Sequence, residues 1–228
     1  TQELLYHVNE INASVELISI IFNYQRIFMQ YRMIVDTNQC VGCHACEVAC
    51  KQEFGAPLGL FRTMTLYMDS GHFPKVKREF LPIMCTQCED ASCQKACKQG
   101  AIYEEHGIVK FDEKKCDGCG DCVKACSLGA IYVNPLSKLA EKCNLCAHRL
   151  EIGQKAACEA TCVSESIRII DLSKEPLPSH AVGFKMKQSD KPRTQHIGAN
   201  PAMREKLQSG KSFSPYNYEI SNWARRGV

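Results

Sequence analysis

The stretch Cys40-Val41-Gly42-Cys43-His44-Ala45-Cys46-Glu47-Val48-Ala49-Cys50 carries the pattern on which the fold rests. Three cysteines recur at intervals of three, and a fourth follows after three intervening residues. The same spacing returns at Cys116, Cys119, Cys122 and Cys126. Two looser versions complete the set: Cys85, Cys88, Cys93 and Cys97, then Cys143, Cys146, Cys158 and Cys162. All 16 cysteines of the 228-residue chain fall into these four groups of four. Spacing this regular is a ligand pattern.

Three chemistries compete for it. Disulfides need an oxidising compartment, and closely spaced Cys-x2-Cys pairs make poor bridges. Structural zinc accepts four thiolates, but its cysteines usually come as separated pairs, often with histidine. Three cysteines on a tight loop with a fourth after three residues is the run that binds [4Fe–4S] cubanes, the fourth serving the other cluster of a pair. The spacing favours iron–sulfur, with zinc as the alternative.

A repeat surrounds the cysteines. Ile34-Val35-Asp36 precedes Cys40 and Ile108-Val109-Lys110-Phe111-Asp112 precedes Cys116, with the aspartate four residues ahead each time. Gly100-Ala101-Ile102-Tyr103 and Gly129-Ala130-Ile131-Tyr132 are identical, and Ser166-Ile167-Arg168-Ile169-Ile170 takes the equivalent place after the last group. Each unit reads as strand, cysteine loop, short helix and strand. Gly42, Ala45, Ala49, Gly118, Gly120 and Ala125 between the ligands let the backbone wrap closely.

Composition narrows the class. Hydrophobic residues make up 45% of the chain, but the count without cysteine is about 38%, a thin apolar core for this length. Extended disorder is excluded by the aliphatic residues and cysteines that run through the chain. The most apolar stretch, residues 11–22, is broken by Asn12, Ser14, Glu16 and Ser19 and is too short to span a bilayer. Residues 1–172 carry 18 basic and 21 acidic side chains, net −3; residues 173–228 carry 10 and 4, net +6. Nucleophile triads, a Gly-rich phosphate loop and a flavin signature are missing from the sequence, so no catalytic residues are assigned.

The chain resembles the four-cluster iron–sulfur electron-transfer (beta) subunits of complex molybdoenzymes, of the polysulfide, dimethyl sulfoxide and tetrathionate reductase type. It is also similar to the ferredoxin-like subunits of tungsten aldehyde oxidoreductases. The resemblance rests on the run from Met33 to Cys46, on Cys85-Thr86-Gln87-Cys88-Glu89-Asp90-Ala91-Ser92-Cys93, and on Lys142-Cys143-Asn144-Leu145-Cys146-Ala147-His148-Arg149-Leu150. It implies an α+β fold of two interlocked bacterial 2[4Fe–4S] ferredoxin-like modules, spanning residues 29–172. Motifs one (40–50) and four (143–162) pair, as do two (85–97) and three (116–126). The resemblance further implies four [4Fe–4S] clusters. One takes Cys40, Cys43, Cys46 and Cys162, and its neighbour Cys143, Cys146, Cys158 and Cys50. The second module takes Cys85, Cys88, Cys93 and Cys126, beside Cys116, Cys119, Cys122 and Cys97. Lys98, Ser127 and Val163 stand where the family usually has proline after the fourth cysteine.

The implied function is a relay of single electrons between a Mo- or W-pterin catalytic subunit and a membrane, quinone, ferredoxin or nicotinamide-linked partner. A membrane-anchor or flavin subunit is a further partner; no nucleic acid or direct membrane span is expected. Such a chain is no enzyme by itself. Alternatives are a ferredoxin-like hydrogenase subunit, a free polyferredoxin, or a zinc-stabilised interaction module. Without a signal peptide the expected location is cytoplasmic, the alternative being the periplasmic face, reached by export with a signal-bearing partner.

Leu4, Leu5, Val8, Ile11, Val15 and Ile18 follow helical spacing, which predicts an N-terminal amphipathic helix over 1–28. Residues 173–228 read as an irregular basic tail whose Phe184, Phe213, Tyr216, Tyr218 and Trp223 suit an arm ordered on another subunit. Lys51, Lys98, Lys115 and Lys142 each sit beside a cysteine and would raise a cluster's potential if they face it; otherwise they are surface lysines. His44 and His148 lie close to ligands, but four cysteines already fill each cube, so packing or surface roles are expected.

Overall fold

In a computed structural model the described residues are 30–185, 187 and 191–208. The helix expected over 1–28, and Phe213, Tyr216, Tyr218 and Trp223, lie outside them. Strand β1 (Tyr31–Asp36) buries three consecutive residues, Met33, Ile34 and Val35, because it is the middle strand of a three-stranded sheet. On one side it runs antiparallel to β8 (Ile167–Asp171), with Val35 opposite Ile167; on the other it runs parallel to β9 (Gln195–Ile197), with Ile34 opposite Gln195.

Helix α1 (Ala45–Phe54) follows the first cysteine loop, starting beyond a left-handed His44 and stopping at left-handed Gly55. Its i, i+4 spacing puts buried Cys46 and Cys50 on one face. The chain then makes a long hairpin, β2 (Thr63–His72) and β3 (Lys75–Met84), whose base is buried and whose tip is exposed. Short helices α2 (Ser92–Ala96) and α3 (Asp121–Ala125) bracket the hairpin of β4 (Ile102–Glu105) and β5 (Ile108–Phe111). After α3 come the paired strands β6 (Ile131–Val133) and β7 (Ala140–Lys142), then α4 (Ala147–Leu150) and α5 (Ala157–Ala160), leading into β8. Helix α1 packs on α5, and α2 packs on α3.

The strands expected around the repeat are present, and the identical Ala-Ile-Tyr runs diverge in burial. Tyr132 is fully buried and donates its hydroxyl to Glu141 at 2.6 Å, in a cluster where Arg62 and Asn134 also donate to that carboxylate. Tyr103 has no such receiver and is 37% exposed. After three of the fourth cysteines a backbone hydrogen bond closes the turn. Gly100 donates to Cys97, Gly129 to Cys126 and Glu165 to Cys162, each at 3.1 Å.

The segment after residue 172 departs from the irregular tail read from composition. As far as Gln208 it returns to the body, forming β9 and then helix α6 (Pro201–Gln208). Phe184 and Met203 join the core built on the hairpin base by Met68, Leu81, Ile83 and Leu128. Proline and polar residues dominate this stretch, yet Arg193 and Thr194 are buried because their backbone amides donate to Thr86. Among the described residues no helix is long and apolar enough to cross a membrane.

His196, 2% exposed and 4.3 Å from the Phe184 ring centroid, sits in that core. Burial pushes its imidazole down to about 4 from 6.5, the Pro82 carbonyl offsetting this only in part. Below pH 6.5 the unfolded chain takes up a proton that the folded chain refuses until about pH 4. The contribution is therefore complete above pH 6.5 and is lost as pH falls toward 4, by up to about 3 kcal/mol. In anaerobic thermal melts from pH 7 to 4, His196→Phe is expected to lose less stability than the parent; equal losses would place the effect elsewhere.

Candidate metal centres

All sixteen cysteines are free, and only Cys43 and Cys119 are exposed. The fold collects them in four sets, each combining three thiols from one motif with one from another. Cys93 has Cys85, Cys88 and Cys126 as its electrostatic neighbours, and these four line one pocket with Ala91 and Leu128. Cys122 has Cys97, Cys116 and Cys119, and these four line a second. Cys158 has Cys143, Cys146 and Cys50 as neighbours. Cys40 has Cys162 and Cys43, and Cys46 has Cys40 and Cys162.

Local structure explains how the fourth thiol crosses over. In motifs two and three a five-residue helix contains the third cysteine and ends directly before the fourth. It carries Cys97 and Cys126 away from their own loops, and the packing of α2 on α3 delivers each to the other loop. The packing of α1 on α5 does the same for Cys50 and Cys162. Gly118 holds the third loop closed. Its φ is +74°, and a Cβ there would lie 2.3 Å from the Lys138 carbonyl oxygen.

The electrostatics fit a cationic occupant larger than one ion. Burial pushes the Cys46, Cys93 and Cys143 thiols up to about 12 and those of Cys122, Cys126 and Cys146 to about 11. Neighbouring cysteines add to the rise, so four thiolates around one void are unfavourable unless positive charge sits between them. Four thiols brought together from two loops suit a polynuclear iron–sulfur cube.

Donors to sulfur surround the sets. The amides of Gly118 and Ala130 donate to Cys116 and Cys126 Sγ at 3.4 Å, and that of Leu145 to Cys143 Sγ at 3.5 Å. The Thr86 hydroxyl lies 3.1 Å from Cys88 Sγ and that of Thr65 3.8 Å from Cys46 Sγ. Sequence reasoning missed these threonines. Only the Thr86 position, between two ligands, carried a signal. Residues 191–194 strap over the second motif. Glu89 donates its amide to Lys191, while Thr194 Oγ1 donates to the Cys85 carbonyl at 3.1 Å.

The two histidines serve other ends. His148 Nε2 meets Glu53 at 2.7 Å, where Arg149 also binds, tying α4 to α1. His44 lies between Glu47, 2.9 Å from Nδ1, and the Tyr67 hydroxyl. The four lysines beside cysteines separate. Lys98 and Lys115 are exposed, and Lys51 donates to the Pro57 and Leu60 carbonyls at 2.7 and 2.8 Å. Lys142 is buried at 2% exposure, where its ammonium opposes the rise at Cys93 and Cys143.

Comparison with known proteins places this arrangement. The 4Fe-4S dicluster domain family matches residues 76–172. The thiosulfate reductase electron transfer subunit PhsB of Salmonella typhi is 38% identical over 143 residues, covering 61% of this chain and 74% of its own. The B subunit of tetrathionate reductase from Salmonella typhimurium is 35% identical, over 64% of this chain and 60% of its own. The B component of polysulfide reductase from Wolinella succinogenes is 34% identical, over 63% and 78%.

The glycine geometry is testable. Gly118→Ala combines a left-handed backbone with a clash against fixed backbone and is expected to cost about 3 kcal/mol or more. Gly100→Ala, at φ +61° with open space around its Cβ, should cost about 1–2 kcal/mol. Anaerobic melting temperatures of the two variants check this; equal losses would contradict the clash.

Proposed function

The chain belongs to the iron–sulfur electron-transfer (beta) subunits of molybdoenzyme reductases, and from that premise we propose that it holds four [4Fe–4S] clusters in two interlocked ferredoxin-like modules. It is an electron-transfer subunit, non-catalytic by itself. The proposed ligand sets are Cys40, Cys43, Cys46 and Cys162; Cys143, Cys146, Cys158 and Cys50; Cys85, Cys88, Cys93 and Cys126; and Cys116, Cys119, Cys122 and Cys97. The observation that carries this reading is the sorting of sixteen free thiols into four sets, each drawing one thiol from a different motif.

When bound, a [4Fe–4S] cube supplies a one-electron carrier. The chain's residues hold the sites in sequence and keep water from the middle. Cys143 neighbours Cys85 across the two modules, and Cys158 neighbours Cys46 within one. This supports an order from the Cys116 set through the Cys85 and Cys143 sets to the Cys40 set. The exposed thiols, Cys119 and Cys43, then belong to the two ends. The inner pair is closed by the strap from Lys191 to Thr194 and by buried Leu128, Leu145 and Ala157. We further propose that one end meets a Mo- or W-pterin catalytic subunit and the other a membrane, quinone or ferredoxin-linked partner. The reductase names of the relatives support a catalytic partner.

Anaerobically prepared chain is expected to carry about 16 Fe, four per cube. Cys126→Ala tests the crossed ligand sets. Iron should fall by about a quarter, and the site lost should be the one built on Cys85, Cys88 and Cys93. If Cys126→Ala and Cys119→Ala instead remove the same spectroscopic centre, the crossing is wrong; about four Zn with little iron would remove electron transfer altogether.

A further inference from the structure

Lys142 ends β7 directly before the first cysteine of motif four, and its side chain turns inward at the junction of the two modules. The ammonium donates to the carbonyl of Cys143 at 2.7 Å and to that of Val109 in β5. Gln87 grips the same two residues from the other side, donating Nε2 to the Cys143 carbonyl and accepting the Val109 amide, both at 2.8 Å. Gln87 lies between ligand positions Cys85 and Cys88, is 1% exposed and holds a left-handed φ of +50°. A bulky residue keeps such a backbone only where its surroundings fix it, and here its side-chain amide is clamped at both ends.

The pair therefore ties motif two to motif four, but the hydrogen bonds do not account for a charge at this place. A buried ammonium is costly unless an anion answers it. Among the described residues no carboxylate forms an ion pair with Lys142. The anionic groups around it are the sulfurs of Cys93 and Cys143, which belong to two different sets.

We propose that Lys142 is the shared counter-cation of the two inner clusters, raising both of their reduction potentials together, with Gln87 holding it in register. This rests on the four-cluster reading. The other three lysines beside cysteines are not shared in this way: Lys98 and Lys115 are solvated, and Lys51, which donates to loop carbonyls, acts on Cys50 of a single set. Lys142 thus acts through a fixed charge on sites it does not ligate.

The test is a potentiometric titration of the full chain, prepared anaerobically with its clusters, each reduced centre followed by electron paramagnetic resonance. Parent protein with about 16 Fe and four one-electron waves meets the underlying reading; fewer waves would break that reading before Lys142 is touched. Lys142→Met is expected to lower two of the four midpoints, by tenfold or more in the reduction equilibrium, about 59 mV for one electron. The other two should stay in place. Lys142→Arg, which keeps the charge, should restore both. Gln87→Glu keeps the lysine but sets an anion beside it, and should lower the same two midpoints even where Lys142→Met assembles poorly. No shift, a shift of one centre or of all four alike, or Lys142→Arg as low as Lys142→Met would overturn the proposal.

Discussion

Desolvation of sulfur is the constraint on which the rest of the structure depends. Burial pushes six thiols up to about 11 or 12 and that of Cys158 well above its ordinary value, and neighbouring cysteines add to the rise. Secondary structure cannot offset this on its own. Among the described residues the longest helix has ten residues, and those of the cysteine units after it have four or five. Such helices are far below the length at which a helix stands unaided. The cysteine sets therefore stand where a protein of ordinary composition has an apolar interior. The buried hydrophobic residues divide into three small groups around them, two of which include cysteines among their own members.

Much of this was legible in the sequence because the chemistry is local. Ligand spacing, the glycines between ligands and the Ile-containing strands before and after each loop are all short-range signals. What was hidden depends on distant partners. The β2–β3 hairpin had no repeat to announce it, and its threonines gain meaning only because Thr65 reaches Cys46 from nineteen positions away. The strap at 191–194 reads as linker, with lysine, proline and arginine in succession. It is ordered by Thr86 and Cys85 carbonyls more than a hundred residues earlier. Composition described that segment as part of an irregular basic tail, and nonlocal hydrogen bonds overrode composition.

The lysines make the same point at a single residue type. Four sit beside cysteines, and sequence offers one description for all of them. Lys115 has Asp112 within 3.6 Å at the surface, and Lys51 lies over Phe61 with two carbonyls to satisfy it. Lys142 alone is placed where two modules meet, because β7 pairs with β6 and so ends against β5 and the loop of motif two. Position in the fold, not adjacency to a ligand, separates a cation that acts on sulfur from one that water screens.

The surroundings of the two exposed thiols, Cys43 and Cys119, also differ. Around Cys43 the surface is a folded polar cluster: His44 meets Glu47 and Tyr67, and Tyr67 stacks edge-on against Phe80 of the hairpin. Around Cys119 it is a glycine-rich loop, with Gly118 and Gly120 both left-handed and Asp117 turned back to accept the Cys119 amide at 3.1 Å. The same cysteine spacing therefore lies in two different surroundings, and the difference comes from what the hairpin adds to the first motif.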